Sequence, residues 1–185
     1  MKKSILVLLC MMEFSYSFAV KSLQEIHNQF VVRQNYEESC GASSLANLLN
    51  FFEFKQFSEQ DILKLLQQKT DMLSFQELKE VATFLGYETK GFQLSRDILE
   101  KISYPLLVRI EDDPRFPHFV VVINYEGDFI KILDPNFGEY ISTKKEFYSV
   151  WDRFNKGGYA LLIARKDRKP PIIKKLEFPN RSFFK

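Results

Sequence analysis

A chain of 185 residues has room for one domain of ordinary size and can bury a core without metal or disulfide staples. Its 45% apolar, 15% aromatic and 27% charged residues are the composition of a folded protein, which excludes global disorder. A net charge of +2 excludes the strong positive field of a nucleic-acid binder, so no nucleic-acid partner is expected.

The first residues read as an export signal. Lys2 and Lys3 form a positive start, Ile5 to Met12 is an apolar run, and Ser17-Phe18-Ala19 puts small residues where a signal peptidase reads, with cleavage after Ala19. The run is too short to span a bilayer and Glu13 interrupts it, so the mature chain is expected to hold no integral membrane segment and to be periplasmic or secreted, as in bacteria. Leu9 precedes Cys10 where a lipid-anchor site needs a small residue. Losing residues 1–19 removes Cys10 and leaves Cys40 alone, which rules out a disulfide framework. A single exported thiol either pairs with another chain or is kept as a reactive group.

Apolar residues at Ala42, Leu45, Ala46, Leu48, Leu49 and Phe52 recur with helical spacing, with Asn47, Asn50 and Glu53 between them, so Cys40 lies in the first turn of an amphipathic helix. Ser58 caps a second helix running through Leu66. Ser74-Phe75-Gln76-Glu77 is a capping box for a third, which stops at Gly86. Thr89 to Gln93 is extended, Ser95 opens a brief helix through Ile102, and Pro105 to Ile110 reads as a strand. His118 to Ile123 and Phe129 to Leu133 are β runs joined by the hairpin chemistry of Asn124-Tyr125-Glu126-Gly127-Asp128. Tyr140 to Ser142 adds an edge, Thr143 to Trp151 a helix opened by a Thr-x-x-Glu box, and Tyr159 to Ala164 a last buried strand. Helices followed by antiparallel strands give an α+β class, with the domain spanning residues 20–165. Residues 166–185 carry seven Lys/Arg against two Asp/Glu, with Pro170, Pro171 and Pro179, and read as a basic extended tail: a solvated terminus, or an arm that docks on a partner.

Cys40 as a nucleophile explains this pattern. The positive end of the helix dipole and unpaired backbone N–H groups favour thiolate there, and Gly41 allows another backbone to come close. The mature chain offers only His27 and His118 as a base, and His27 stands in SLQEIHNQF with no partner in view. His118 begins one hairpin strand and Asp134 ends the other. A turn centred on Glu126 makes them direct cross-strand neighbours, which lets the carboxylate orient the imidazole. Gln34, six residues before Cys40, can donate its amide beside the Cys40 N–H to a developing oxyanion. The loop Glu111-Asp112-Asp113-Pro114-Arg115-Phe116-Pro117 reads as solvated surface, with a cleft wall as the alternative.

Gln34, Cys40-Gly41 with Ala42 and Leu45, His118-Phe119-Val120-Val121 and Asp134-Pro135 together resemble the bacteriocin-processing cysteine peptidases, peptidase family C39 of the papain clan. The resemblance runs from about Val32 to Ala164 and includes the stretch LKEVATFLGYETKGFQLS. It implies a papain-like fold, with a cysteine at a helix start packed on a C-terminal antiparallel sheet. It also implies Cys40 as nucleophile, His118 as base, Asp134 orienting the base and Gln34 in the oxyanion hole, with no cofactor or metal and a peptide or protein as substrate. The best-known members are N-terminal domains of export ATPases that cut after a double glycine. This chain has no phosphate-binding loop and an export signal, so it is similar to free-standing exported members and the double-glycine specificity is not carried over. Ser39 stands where transporter-linked members usually have Asp. A non-catalytic peptide-binding module and an acyltransferase using the same thiol are the competing readings.

Overall fold

The computed structural model describes residues 20–165, apart from 54–55, 68–70, 112, 114 and 125–126. The proposed signal and basic tail lie outside the described residues. In chain order the elements are helices α1 (Leu23–Asn28), α2 (Cys40–Leu49), α3 (Glu59–Leu65) and α4 (Phe75–Phe84), strand β1 (Glu88–Leu94), helix α5 (Arg96–Leu99), strands β2 (Leu106–Ile110), β3 (His118–Asn124), β4 (Phe129–Asp134) and β5 (Gly138–Thr143), helix α6 (Lys144–Trp151) and strand β6 (Gly158–Ala164).

Local chemistry starts most of the helices. Ser58, Ser74 and Thr143 each accept the backbone N–H three residues on, while the acid at that position, Asp61, Glu77 or Glu146, reaches back to the cap. Ser95 makes no such bond to the backbone, and the helix it opens ends at Leu99 rather than Ile102. Lys101 and Ile102 instead bond three residues back, a tightened turn that leads into β2.

The six strands form one antiparallel sheet in the order β1-β6-β2-β3-β4-β5. The last strand in sequence is inserted between β1 and β2, so β1 and β5 are the edges. Alternation along the strands supplies two cores. Leu107, Phe119, Val121, Leu133 and Leu161 pack beneath α2, α3 and α4. Val108, Val120, Ile132 and Ala160 pack on the opposite face against Phe147 and Trp151 of α6, whose rings stack at 5.3 Å.

All ten residues of α2 are buried, including Ser43, Ser44 and Asn47, so the amphipathic reading of this helix is corrected: it is the central helix of the first core. Ser44 and Asn47 are served by neighbours, whereas the buried Ser43 hydroxyl has no partner among the described residues. The Ser44 hydroxyl donates to the Phe119 carbonyl at 2.7 Å, and the Asn47 amide exchanges hydrogen bonds with both backbone groups of Val32 at 2.6 and 3.0 Å. Among the described residues no helix is long and apolar enough to cross a membrane.

Candidate active site

Cys40 is the first residue of α2 and is 3% exposed. Its backbone N–H belongs to the first helical turn, where these donors have no intrahelical acceptor. Gly41 is needed for close packing, although the neighbours are side chains and not a second backbone. A Cβ at this position would stand 3.2 Å from Leu73 Cβ and 3.4 Å from the Phe119 ring, which the packed core has little room to accommodate.

His118 opens β3 and Asp134 closes β4. His118 Nε2 lies 2.9 Å from Asp134 Oδ1, and the Cys40 side chain is the ring's other hydrogen-bond partner. The expected direct cross-strand pairing is not what brings them together. Val121 faces Leu133 and Val122 faces Ile132, a register that centres the turn on Gly127 and not on Glu126. Gly127 supplies the left-handed backbone, at φ +78°, that such a turn needs. Asp134 is therefore a diagonal neighbour, still on the same face and within reach. Its Oδ1 also accepts the backbone N–H groups of Asn136 at 2.7 Å and Phe137 at 3.3 Å, so the turn after β4 locks the carboxylate before the imidazole meets it.

The electrostatics of His118 follow from this setting. Burial opposes the charged ring more than any single partner favours it. The hydrogen bonds and negative charge of Asp134 and Cys40 together outweigh that, and hold the pKa up at about 9. The arrangement keeps His118 as an imidazolium at neutral pH, beside the Cys40 side chain.

Gln34 reaches the start of α2 through its loop. Its Nε2 donates to the carbonyls of Tyr36 at 3.0 Å and Glu37 at 2.8 Å, while its backbone N–H donates to Pro135 O at 3.2 Å. The side chain thus braces the loop before Cys40 and is not among the residues lining the cleft. Arg33 strengthens the same junction, donating from Nε to Pro135 O at 2.7 Å and from its terminal nitrogens to Asn136 O and the Asn28 side chain. Sequence reasoning passed over Arg33, and its only local signal was adjacency to Gln34. His27 is exposed and lies outside the cleft lining.

Cys40, His118 and Asp134 open together into a cavity of about 410 Å³. The loop read as solvated surface walls it, through Asp113, Phe116 and Pro117, with Glu37 and Glu38 among its other lining residues. Phe116 and Phe137 border it at 63% and 72% exposure, leaving apolar surface for a ligand to cover. A buried thiol, a protonated imidazole and a fixed carboxylate in one open cleft can carry out nucleophilic attack on an acyl group followed by proton delivery to its leaving group.

Comparisons with known proteins give the family and the fold. The model of the Peptidase C39 family matches residues 28–168. The probable functional amyloid protease FapD of Pseudomonas fluorescens is 26% identical over 140 residues, covering 72% of this chain and 62% of that protein. The lactococcin-G-processing and transport ATP-binding protein LagD of Lactococcus lactis is 27% identical over 149 residues, 80% of this chain but 20% of the transporter. Among solved structures, the peptidase domain of Streptococcus ComA superposes with a TM-score of 0.64 at 22% identity, covering 74% of this chain and 98% of that domain. A double glycine motif protease from an AMS/PCAT transporter, solved with its leader peptide, gives 0.60 at 25% identity, covering 72% and 89%.

Proposed function

The chain belongs to the peptidase C39 family and is a cysteine peptidase, and from that premise we propose that Cys40, His118, Asp134 and Gln34 carry the cleavage of an exported peptide or protein. The observation that carries this reading is the single cleft shared by Cys40, His118 and Asp134, with the imidazole hydrogen-bonded to both partners.

In the proposed reaction the Cys40 thiolate adds to the scissile carbonyl carbon, and the carbonyl π electrons move onto oxygen. That oxyanion is met by the Cys40 N–H and by the Gln34 amide, which exchanges one of its loop carbonyl acceptors for the new charge. Collapse of the intermediate breaks the C–N bond, and the imidazolium of His118 gives its proton to the departing amine. Neutral His118 then takes a proton from water, which attacks the thioester and releases the acid and the thiolate. Asp134, fixed by the Asn136 and Phe137 N–H groups, keeps the ring oriented throughout.

Export through residues 1–19 places the substrate outside the cytoplasm, in the periplasm or medium. The likeness to FapD, named as a probable functional amyloid protease, supports a protein as substrate. The double glycine motif protease, bound to its leader peptide, supports a peptide as what the cleft holds. The test is Cys40→Ala: both peptide hydrolysis and iodoacetamide labelling of the mature protein should vanish, with product masses showing hydrolysis and not transfer to an amine. Undiminished proteolysis, or labelling concentrated at another residue, overturns the proposal.

A further inference from the structure

Glu59 is a carboxylate that the reaction above does not use, yet it is 1% exposed and has no ion pair among the described residues. A buried charge is costly unless hydrogen bonds replace its water. Here they do. Oε1 accepts the backbone N–H of Asn35 at 2.9 Å and the Ser39 hydroxyl, while Oε2 accepts the Asn35 side-chain amide at 2.5 Å. The Ser39 hydroxyl in turn accepts the Tyr36 N–H at 3.3 Å, and the Ser39 N–H donates to the Tyr36 carbonyl.

The two residues gripped by Glu59 are the one after Gln34 and the one before Cys40. We propose that Glu59 is a positioning residue for the oxyanion site. From outside the loop it holds both ends of the 35–39 segment, setting the separation between the Gln34 amide and the Cys40 N–H. This rests on the peptidase reading above. A carboxylate fits the task because it only accepts, and it meets three donors arriving from different directions. A glutamine has nearly the same volume but would turn an NH2 toward one of those donors, so Glu59→Gln changes the hydrogen bonding while keeping the packing.

The test uses two reactions of the same thiol. Peptide hydrolysis builds charge on oxygen, whereas alkylation by iodoacetamide displaces iodide at a saturated carbon and needs no oxyanion donor. In Glu59→Gln, kcat on a peptide that the wild type cleaves should fall about 10- to 100-fold, while KM and the alkylation rate stay within about threefold. The affinity of a peptide aldehyde, whose adduct with the thiol presents the oxyanion, should fall in step with kcat. Glu59→Asp, a shorter carboxylate, should recover part of the loss. An unchanged kcat overturns the proposal, as does an equal fall in kcat and alkylation, which would place the effect on the thiol or the whole fold. Should Glu59→Gln fail to fold, Ser39→Ala and Asn35→Ala each remove donors and leave the carboxylate. Each should show a smaller loss of the same selective kind, and unchanged hydrolysis in both overturns the assignment. A wild type that neither cleaves peptide nor is alkylated at Cys40 fells the peptidase reading itself, an outcome distinct from a selective failure at Glu59.

Discussion

His118 Nε2 is 2.9 Å from Asp134 Oδ1 although the two residues do not face each other across the β3–β4 ladder, whose register carried one residue further sets Val120 opposite Asp134. The pair is made by the turn after β4, which aims the carboxylate through the N–H groups of Asn136 and Phe137. Asp134→Asn keeps an oxygen for those donors but removes the charge that favours the imidazolium. Peptide hydrolysis should fall at least about 10-fold, and the alkaline limb of its pH profile should move down from about 9. A profile with an unmoved alkaline limb contradicts the role given to Asp134.

The same pair makes stability depend on pH. His118 has a pKa of about 9 in the folded chain against 6.5 for an ordinary imidazole, so the folded state holds this proton more tightly than the unfolded state does. A raised value of this kind stabilises fully below about pH 6.5, and the contribution is lost as pH rises through about 9. Denaturant midpoints measured across that range should decline for the wild type and flatten for His118→Gln. An identical decline in both proteins would assign the proton to another group.

Gln34 has two tasks that a mutation series can separate. Its amide holds the carbonyls of Tyr36 and Glu37, and in the proposed reaction it also meets the oxyanion. Gln34→Ala should lower kcat by about 10²- to 10³-fold, as loss of an oxyanion donor does elsewhere, while Cys40 alkylation by iodoacetamide persists. Loss of a loop brace alone would instead lower the melting temperature and leave kcat on the surviving folded fraction near that of the wild type.

The elements that chemistry specifies within a few residues were legible from the sequence. Ser58, Ser74 and Thr143 each sit three residues before an acid, and all three boxes close. The features set by distant contacts were not. Nothing near Tyr159 says that β6 will enter the sheet between β1 and β2, because that choice depends on faces presented by strands far earlier in the chain. The hairpin register turned on which of two adjacent residues, Glu126 or Gly127, centred the turn, and the glycine's freedom at positive φ decided it. Glu59 is not singled out, since the sequence of α3 gives no sign that the Asn35 and Ser39 donors will enclose it. Cys40, His118 and Asp134 stand out because thiol and imidazole are scarce here, with 2 Cys and 2 His in the chain, so few combinations exist.

Asn47 links the buried helix to the segment that leads into Gln34, satisfying both the N–H and the carbonyl of Val32. Asn47→Ala orphans two backbone groups and should cost about 2–4 kcal/mol in urea unfolding. Asn47→Asp keeps an acceptor for the Val32 N–H but sets a carboxylate against the carbonyl, so it should not recover the loss. A cost below about 0.5 kcal/mol for Asn47→Ala would show that the backbone of Val32 finds other partners.

Charge along the cleft bears on which peptides enter it. Glu37, Glu38 and Asp113 line it beside the reacting groups, and no Lys or Arg is among the described lining residues. Asp113 is partly balanced by Arg115, whose guanidinium lies at 2.6 Å, and Glu38 accepts the Met72 N–H, so the exposed Glu37 contributes the least compensated charge. Peptides carrying Lys or Arg near the scissile bond should therefore be cleaved with a lower KM than matched peptides carrying Asp or Glu, by about threefold to tenfold at low salt. Added salt should shrink the difference, because charges of this kind are screened beyond about 10 Å at 0.1 M ionic strength. Glu37→Lys should narrow or reverse the preference with kcat little changed. A preference that survives both high salt and this reversal would have to come from the apolar surfaces of Phe116 and Phe137, and their substitution by alanine would then be the change that abolishes it.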